Sequence, residues 1–402
     1  MITKASNNKT TLAIILSGIL KEPFACLYIL LPFFLLKDLH ATSFQIVILT
    51  TLRPLVSIFS FYISEFITMK GMTLRSAVLW TGLLGRIAFI PALFTANIWL
   101  YIFGSTLYMI FTRAEIPALM EVIKTNVERN KWERAFSAGS MISYTSGVFV
   151  TILFHNLIDV HDWGWRLIFT TSLIFSVVAV IIQSLLIVND KKTPQLSGGG
   201  LIKPIKDVFI LLKENHEFRK FQWAFMLGGL GLMIIQPVIP IYFSNTLSIK
   251  YSDLLIAFCV CKALGFVLTT PIWNKLLKRL PFNLFIFSIL SGFTLFSFLL
   301  IFSAFSIQCI FLAYILYGIA GAGSHLVWHL SGPMFSKEEA SNRYTAVNVV
   351  MVGVRGLVGP FLGGCLLMLI DPIWIFAFSM ILCLTGGLYY YQQNENQAIA
   401  IK

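Results

Sequence analysis

Residues 282–303 read FNLFIFSILSGFTLFSFLLIFS, an apolar segment that contains no charged side chain. A helix needs about 20 mostly apolar residues to cross the hydrocarbon core of a lipid bilayer. Water is absent there, so backbone N–H and C=O groups must be paired within the segment, which a helix achieves and an open strand does not. This stretch therefore predicts a transmembrane α-helix.

Similar apolar segments recur along the whole chain and predict an all-α integral membrane protein with twelve transmembrane helices. Ala96 and Asn97 alone separate the third segment from the fourth, which predicts a tight hairpin. The predicted spans are residues 11–36, 44–66, 76–96, 98–118, 137–157, 166–188, 220–243, 253–274, 282–303, 307–330, 344–369 and 372–391.

The overall composition agrees with a protein whose surface faces lipid. Of 402 residues, 57% are hydrophobic and 12% are charged, whereas soluble proteins average about 25% charged residues. A net charge of +12 would favour nucleic acid as a partner in a soluble protein. Here most basic residues lie in short loops between apolar segments, so the predicted partner is the lipid bilayer and not nucleic acid.

The distribution of Lys and Arg between alternate loops predicts the orientation in the membrane. Of the 30 Lys and Arg residues, 21 lie on the side of both termini, six lie inside predicted spans, and three lie on the opposite side. Those three are Lys37, Arg166 and Lys250. The asymmetry predicts a multi-pass protein with both termini in the cytoplasm, and the short loops favour the cell (inner or plasma) membrane.

A polar stretch at residues 189–219 divides the predicted spans into two groups of six. It contains the sequence SGGG at residues 197–200, and segments rich in Gly and Ser behave as flexible linkers. The predicted organisation is an N-terminal six-helix bundle at 1–188, a cytoplasmic linker at 189–219 and a C-terminal six-helix bundle at 220–402.

The two predicted bundles resemble each other at an offset of 209 residues, counted from Ser43 and Ser252. The residues paired at this offset are Arg53 with Lys262, Tyr108 with Tyr317, and Gly147 with Gly356. Internal repeats of this kind recur in secondary transporters, where the solute site lies near the bilayer midplane. The pairing therefore favours a pseudo-symmetric transporter.

Local motifs resemble those of the major facilitator superfamily. They are WRLIF at residues 165–169, at the start of the sixth span, and GPFLGG at residues 359–364 in the eleventh. The family's signature between the second and third spans is degenerate, since residues 64–73 keep a glycine but lack the aspartate. The glycine-proline motif of drug antiporters is absent, because Val148 follows Gly147. The resemblance implies two halves that give alternating access to a central site.

Ionisable residues in the middle of spans are candidates for a solute site, because each costs about 2.5–3.5 kcal/mol in the hydrocarbon region. About ten residues into their spans lie Lys21, Glu22, Arg53, Arg86, Lys262 and Arg355, and nearer the cytoplasmic end lie Arg113 and Glu115. Six of these eight groups are cations, so positive charge remains if each acid neutralises one cation. This surplus favours an anionic solute, since Arg binds carboxylate and phosphate groups bidentately. The alternative is that these groups are inter-helix contacts.

Polar side chains also follow one helical face in two of the predicted spans. They are Tyr101, Ser105, Tyr108, Thr112 and Glu115 in the fourth span, and Tyr314, Tyr317, Gly321, His325 and Trp328 in the tenth. Such a stripe on an apolar helix indicates a polar cavity, with helix packing as the alternative. The predicted substrate-binding residues are Lys21, Glu22, Arg53, Tyr108, Lys262, Tyr317, His325, Trp328 and Arg355. Glu115 and His325 are candidates for proton coupling, since buried carboxyls and imidazoles can titrate near neutral pH.

The sequence carries no sign of enzyme chemistry or of a cofactor. It contains no GxxxxGK[ST] phosphate loop, no nucleophile elbow and no CxxC pair. His325 and His329 have helical i, i+4 spacing but lack the glutamate and third ligand of a metal site. We therefore predict neither a catalytic residue nor a metal nor a cofactor.

The predicted function is secondary active transport of a small, anionic solute, with a proton or another ion as a candidate coupling partner. Two alternatives stay open from the sequence. One is export of apolar or cationic compounds, which the 14% aromatic content could support. The other is a non-transporting receptor or assembly factor with the same fold.

Overall fold

The computed structural model describes residues 4–56, 59, 63, 70–126, 132–158, 164–185, 187, 203–336 and 341–393. These residues form helices and no β-strand. The first part of the chain contains α1 (Lys4–Lys37), α2 (Ser43–Leu55), α3 (Leu74–Ile87), α4 (Ile90–Leu93), α5 (Ile98–Asn126), α6 (Trp132–Ile158) and α7 (Gly164–Leu185). The second part contains α8 (Lys203–Glu214), α9 (His216–Asn245), α10 (Tyr251–Leu255), α11 (Lys262–Arg279), α12 (Phe282–Ile301), α13 (Ile307–Ser336), α14 (Ser341–Leu367) and α15 (Pro372–Gln393).

Within the described residues, nine helical segments are long and apolar enough to cross a membrane. The helix α2 and the Met141–Phe154 part of α6 are apolar but shorter. Large apolar side chains such as Phe149, Leu153 and Phe361 are more than 60% exposed, which suits a surface covered by lipid. The prediction of an all-helical membrane protein is thus confirmed. The predicted number of twelve spans is larger than the nine segments found among the described residues.

Two predicted spans are not simple α-helices. The segment at 76–96 consists of α3 and α4 with a turn at Ala88 and Phe89 between them, just before Pro91. The segment at 253–274 begins as α10, widens into a π-helix at Ile256–Cys261, and continues as α11. Lys262 therefore follows directly after a π-helical turn, a distortion that is frequent at functional sites.

Some predictions fall on residues outside the described part of the chain. They concern the degenerate signature at residues 64–69, the SGGG sequence at 197–200 and most of the non-helical linker. The side chain of His329 is also outside the described set.

The chain divides by packing into two compact units, each considered over its described residues. Unit 1 comprises residues 1–41, 56–198 and 250–255, and unit 2 comprises residues 42–55, 199–249 and 256–402. Helix α2 thus belongs to unit 2, and α10 belongs to unit 1.

The turns before α2 and α10 have the same backbone geometry. His40 and Ser248 both adopt the left-handed conformation, with φ of 52° and 51°. The next residue donates its N–H to a carbonyl six residues earlier, Ala41 to Leu35 at 2.8 Å and Ile249 to Phe243 at 3.1 Å. A residue in the left-handed conformation commonly follows the end of a helix. The two endings lie 208 residues apart, close to the offset found in the sequence.

Glycines in α9 allow close packing without breaking the helix. The sequence at residues 228–231 is GGLG, and α9 runs continuously through it. A Cβ atom at Gly228 would lie 2.4 Å from a Leu290 methyl group, and one at Gly231 would lie 2.8 Å from the Ser379 carbonyl. Small residues therefore bring α12 and α15 onto α9, as in other membrane helix contacts.

Candidate functional site

An ion pair between Lys21 and Glu115 joins α1 to α5 inside unit 1. The Lys21 Nζ lies 2.7 Å from Glu115 Oε1, and the same ammonium donates to Gln183 Oε1 of α7 at 2.5 Å. The Glu115 side chain is 3% exposed and that of Lys21 is 21% exposed. A buried charge must be compensated by a partner, and here three helices supply the partners.

Arg86 completes this cluster from α3. Its guanidinium is buried, donates to Ser176 Oγ at 2.6 Å and to the Gly82 carbonyl at 2.7 Å, and lies 3.7 Å from Glu115 Oε2. Two cations therefore share one carboxylate. We call Lys21, Arg86, Glu115 and Gln183 the unit 1 charge cluster.

The other predicted site residues of unit 1 lie in packed surroundings. A Cβ built on Gly147 of α6 would lie 3.5 Å from Glu22 Oε1, so Glu22 is at the contact of α1 with α6. Tyr108 is buried, with its ring centroid 4.7 Å from that of Tyr28 and 5.9 Å from the Arg86 guanidinium carbon. Tyr108 is thus part of an aromatic core that supports the charge cluster.

Arg355 of α14 is a cation of unit 2 whose guanidinium has a clear hydrogen-bond partner. It donates from Nη1 to the Phe225 carbonyl of α9 at 2.9 Å, and its guanidinium lies 5.5 Å from the Phe225 ring centroid. Its Nε is buried and has no hydrogen-bond partner among the described residues. A Cβ built on Gly229 would lie 2.0 Å from Nη1, so the absence of a side chain at Gly229 makes room for the guanidinium.

Arg355 lines a narrow crevice between α9, α13 and α14 of unit 2, with a cavity volume of about 10 Å³, which is room for about one water molecule. The polar groups opposite Arg355 form a chain across the same three helices. Gln222 Nε2 donates to Asn348 Oδ1, and Asn348 Nδ2 donates to Ser331 Oγ at 2.7 Å. Trp328 also lines the crevice. The crevice thus has a cation at one end and an amide–hydroxyl chain at the other.

Lys262 and Tyr317 lie together in unit 2. The Lys262 Nζ is 5.4 Å from the Tyr317 ring centroid, a cation–π distance. A Cβ on Gly318 would lie 2.1 Å from the Lys262 carbonyl. Close packing of α11 on α13 therefore fixes the backbone that carries Lys262.

Arg53 and His325 lie near other parts of unit 2. Pro54, the neighbour of Arg53, packs on Gly356, the neighbour of Arg355: a Cβ at Gly356 would lie 2.3 Å from Pro54 Cβ. The backbones of the two arginines therefore approach each other where α2 meets α14. The ring of His325 stands edge-on to Phe266 of α11 at 5.8 Å.

Several residues of these two groups did not emerge from the sequence. They are Ser176, Gln183, Gln222, Ser331 and Asn348. An amide or hydroxyl inside an apolar span was the available signal, because buried polar groups need partners. Among the described residues, no group of three or more His, Cys, Asp or Glu side chains is arranged to hold a metal ion.

The family model of the Major Facilitator Superfamily matches residues 23–331. The chain belongs to this superfamily. Membership explains the apolar helices and makes the protein a membrane transporter and not an enzyme. Among curated proteins, no relative is found by sequence.

Solved structures of other transporters of this type have the same fold. An aspartate-to-alanine mutant of the nucleoside transporter NupG superposes with a TM-score of 0.73 at 12% identity, over 96% of this chain and 100% of that one. A POT family transporter in complex with a thioalcohol-conjugated peptide gives 0.72 at 14% identity, over 94% of both chains. A bacterial homologue of the human lysosomal transporter Spinster, inward-facing and unoccupied, gives 0.68 at 13% identity, over 97% of both chains. At these identities the likeness concerns the fold alone.

Proposed function

We propose that this transporter moves a small anionic solute across the cell (inner or plasma) membrane by alternating access of two pseudo-symmetric bundles. The bundles are residues 1–188 and 220–402, joined by the linker at 189–219, with both termini in the cytoplasm. The observation that carries the proposal is Arg355, a guanidinium that lines a crevice and is held by a backbone carbonyl.

The charge distribution of unit 2 supports an anion at Arg355. In sequence, α2 and the helices of unit 2 from Phe218 onward contain no Asp or Glu. A carbonyl oxygen offsets only part of a guanidinium's charge, whereas a carboxylate or phosphate can bind it bidentately. In unit 1, by contrast, Glu115 already accompanies Lys21 and Arg86. A solute anion would therefore add the negative charge that these helices lack.

Lys262, Tyr317 and Trp328 are proposed to assist Arg355. Lys262 adds a second positive charge beside Tyr317, and Trp328 adds an aromatic wall to the crevice. Arg53 is proposed to assist Arg355 as well, because it lies beside the contact of α2 with α14. Lys21, Glu22 and Tyr108 stay in the proposal as residues of the N-terminal half, and their packed surroundings favour a supporting role over direct contact with solute.

Proton coupling is proposed to involve Glu115 or His325. Glu115 lies within 4 Å of two cations, so its protonation would release Lys21 and loosen the contact of α1 with α5. A conformational change driven by a proton needs such a bistable contact. His325 lies at the α11–α13 contact, where a new positive charge would disturb an aromatic neighbour.

The test is transport by the purified protein in proteoliposomes. The probes are labelled monocarboxylates, dicarboxylates and inorganic phosphate, together with neutral alcohols and primary amines of matched size. We expect uptake of at least one anion, lowered about 10- to 100-fold by Arg355→Ala, because hydrogen bonds to charged groups contribute about 1.5–3 kcal/mol. Lys262→Ala should lower it less, since a cation–π-held ammonium is a point charge with weaker directionality.

A matched control is Leu312→Ala on α13, where the side chain is half exposed on the apolar surface. It should transport like the wild type, and all variants should elute as the wild type does in detergent. Transport of amines or alcohols without any anion, or anion uptake that is unchanged in Arg355→Ala, would overturn the proposal.

A further inference from the structure

Helix α8 lies directly before a helix that is long enough to cross a membrane, but is itself too short to cross one. It comprises the 12 residues Lys203–Glu214, whereas a transmembrane helix needs about 20. The long apolar helix α9 begins at His216. Only Asn215 separates the two helices, and its extended backbone, with φ of −104° and ψ of 95°, forms a corner between them. Helix α8 therefore lies at one end of a candidate span.

One face of α8 is held firmly within unit 2. The helix packs against α9 and α14, and the side chain of Leu211 is only 1% exposed. At the corner, Asn215 Nδ2 donates to the Tyr344 hydroxyl of α14 at 3.2 Å, and Arg219 Nη1 donates to the Leu212 carbonyl at 3.2 Å. These contacts fix which side of α8 is turned away from the protein.

The other side of α8 combines exposed apolar side chains with lysines. Phe209 is 72% exposed and Ile210 is 43% exposed, and Lys213 is exposed as well. Residues 206, 209, 210 and 213 follow the i, i+3, i+4, i+7 spacing of one helical face, so Lys206 belongs to this face too. We call Lys206, Phe209, Ile210 and Lys213 the lysine face of α8.

The acidic residues of α8 belong to a different part of its circumference. Asp207 and Glu214 each follow a lysine of the lysine face by one residue, which is about 100° further round the helix. The lysine face thus carries positive charge and apolar surface together. Helices with this pattern lie in the interfacial region of a bilayer, since lysine stems pack on apolar surface while their ammonium groups reach the headgroups.

We propose that the lysine face of α8 binds anionic phospholipid of the cytoplasmic leaflet, with Phe209 and Ile210 inserted below the headgroups. The cytoplasmic leaflet is negatively charged and attracts basic segments close to a span, which matches the charge of the two lysines. The proposal rests on the proposed cytoplasmic position of the linker and not on the chemistry of the solute. Because the opposite side of α8 packs on α9 and α14, bound lipid would hold the ends of these two helices at the bilayer surface.

The first experiment measures lipid binding by the full-length protein in detergent, titrated with phosphatidylglycerol or with phosphatidylcholine. A lipid that binds the folded state raises its melting temperature. We expect the rise at a lower concentration of phosphatidylglycerol than of phosphatidylcholine. The double variant Lys206→Gln with Lys213→Gln should need about 10- to 30-fold more phosphatidylglycerol for half of the rise, since each lysine near an anionic surface contributes a factor of about five.

The matched control is the double variant Lys275→Gln with Lys278→Gln on α11. Both lysines are exposed, and the change removes the same charge from the same side of the proposed topology. It should shift the phosphatidylglycerol midpoint by less than about 3-fold. The melting temperature without added lipid shows whether each variant is folded.

The second experiment measures insertion, with a nitroxide label on Ile210→Cys in bilayers that contain phosphatidylglycerol. Oxygen dissolves in hydrocarbon, whereas a charged nickel complex stays in water. The label should therefore collide with oxygen in preference to nickel, and this preference should be several-fold stronger than at Glu214→Cys, one turn further along the helix. The labelled parent protein gives the background of the six native cysteines.

The outcomes decide between lipid and other occupants. Equal effects of the two lipids, or equal loss of phosphatidylglycerol binding in the two double variants, would overturn the proposal. Equal access of the nickel complex to labels on Ile210→Cys and Glu214→Cys would overturn it too, as expected if a cytoplasmic protein covers the lysine face. Neither experiment involves the solute, so a failure of lipid binding and a failure of anion transport are observed separately.

Discussion

Lys21 Nζ lies 2.7 Å from Glu115 Oε1, although the two residues are 94 positions apart in the chain. The pair joins α1 to α5 in the interior of unit 1, where Gln183 and Arg86 complete the contacts. Water and salt screen such a pair much less than they screen one at the surface. Each charge in the cluster is therefore stabilised mainly by the other charged and polar side chains of the cluster, and less by water.

The first prediction concerns removal of the shared carboxylate. In Glu115→Gln, the isosteric amide leaves Lys21 and Arg86 without an anion, so the free energy of unfolding should fall. Breaking a buried pair at one partner costs about 3–5 kcal/mol, and the partial exposure of Lys21 puts the expected loss near the lower limit. The measurement is the melting temperature and the denaturant midpoint in detergent.

A matched control is Glu214→Gln, because Glu214 is an exposed residue at the end of α8 and its change should leave stability as it was. The double variant Lys21→Met with Glu115→Gln should recover part of the loss, since one of the uncompensated cations is gone. Additive losses in the double variant would show that the two residues do not depend on each other.

The second prediction concerns two glycines that face each other between α11 and α13. A Cβ at Gly265 would lie 2.1 Å from the Ile315 carbonyl, and a Cβ at Gly318 would lie 2.1 Å from the Lys262 carbonyl. Backbone atoms cannot move aside as a side chain can, so Gly265→Ala and Gly318→Ala must separate the helices. We expect each to cost at least about 3 kcal/mol, at the upper end for overpacking.

The comparison for these variants is Gly321→Ala, one turn further along α13. No heavy atom of a neighbour lies within 4 Å of a Cβ built there. Its melting temperature in detergent should equal or exceed that of the wild type, because Ala favours the helix more than Gly does. Equal stability of all three variants would contradict the close approach of α11 to α13.

Much of the local structure followed from the sequence because it depends on neighbours along the chain. Apolar segments such as residues 282–303 became helices, since backbone pairing is local. The repeat signalled by Ser43 and Ser252 reappears in the matching helix endings at His40 and Ser248. The hairpin at Ala96 and Asn97 is likewise a local turn between α4 and α5.

The pairing of side chains did not follow, because it depends on how each helix is rotated and placed against its neighbours. Glu22 and Glu115 were both candidate partners for a span cation, and packing selected Glu115 for Lys21. The amides of Gln183, Gln222 and Asn348 gained their roles in the same way. Nothing in the periodicity indicated the π-helical turn before Lys262, since it changes the pattern by one residue only.

The third prediction concerns the orientation in the membrane. Lys250 and Lys213 are exposed residues, and the proposed orientation puts them on opposite sides of the bilayer. In intact cells, a membrane-impermeant maleimide should label Lys250→Cys but label Lys213→Cys only after permeabilisation. The parent protein, with its six native cysteines in apolar segments, gives the background. The reverse pattern of labelling would contradict cytoplasmic termini.

The fourth prediction moves Arg355 without removing its charge. A Cβ at Gly229 would lie 2.0 Å from Arg355 Nη1 and 2.4 Å from its guanidinium carbon, so Gly229→Ala must push the guanidinium out of its place. The bond to the Phe225 carbonyl would be lost, and an anion would no longer meet a fixed bidentate partner. We expect the KM for the transported anion to rise about 10-fold, with a smaller change in maximal rate, because a displacement of about 1 Å is enough to cost a large factor in a positioned contact.

Gly387→Ala on α15 is the control, since its Cβ would meet only side-chain atoms of Leu290 and Phe287 at 3.3 Å, and its KM should stay within about 2-fold of the wild type. Charge alone would attract the anion equally in both variants, so an unchanged KM in Gly229→Ala would show that the position of Arg355 does not matter and that its role in binding is indirect.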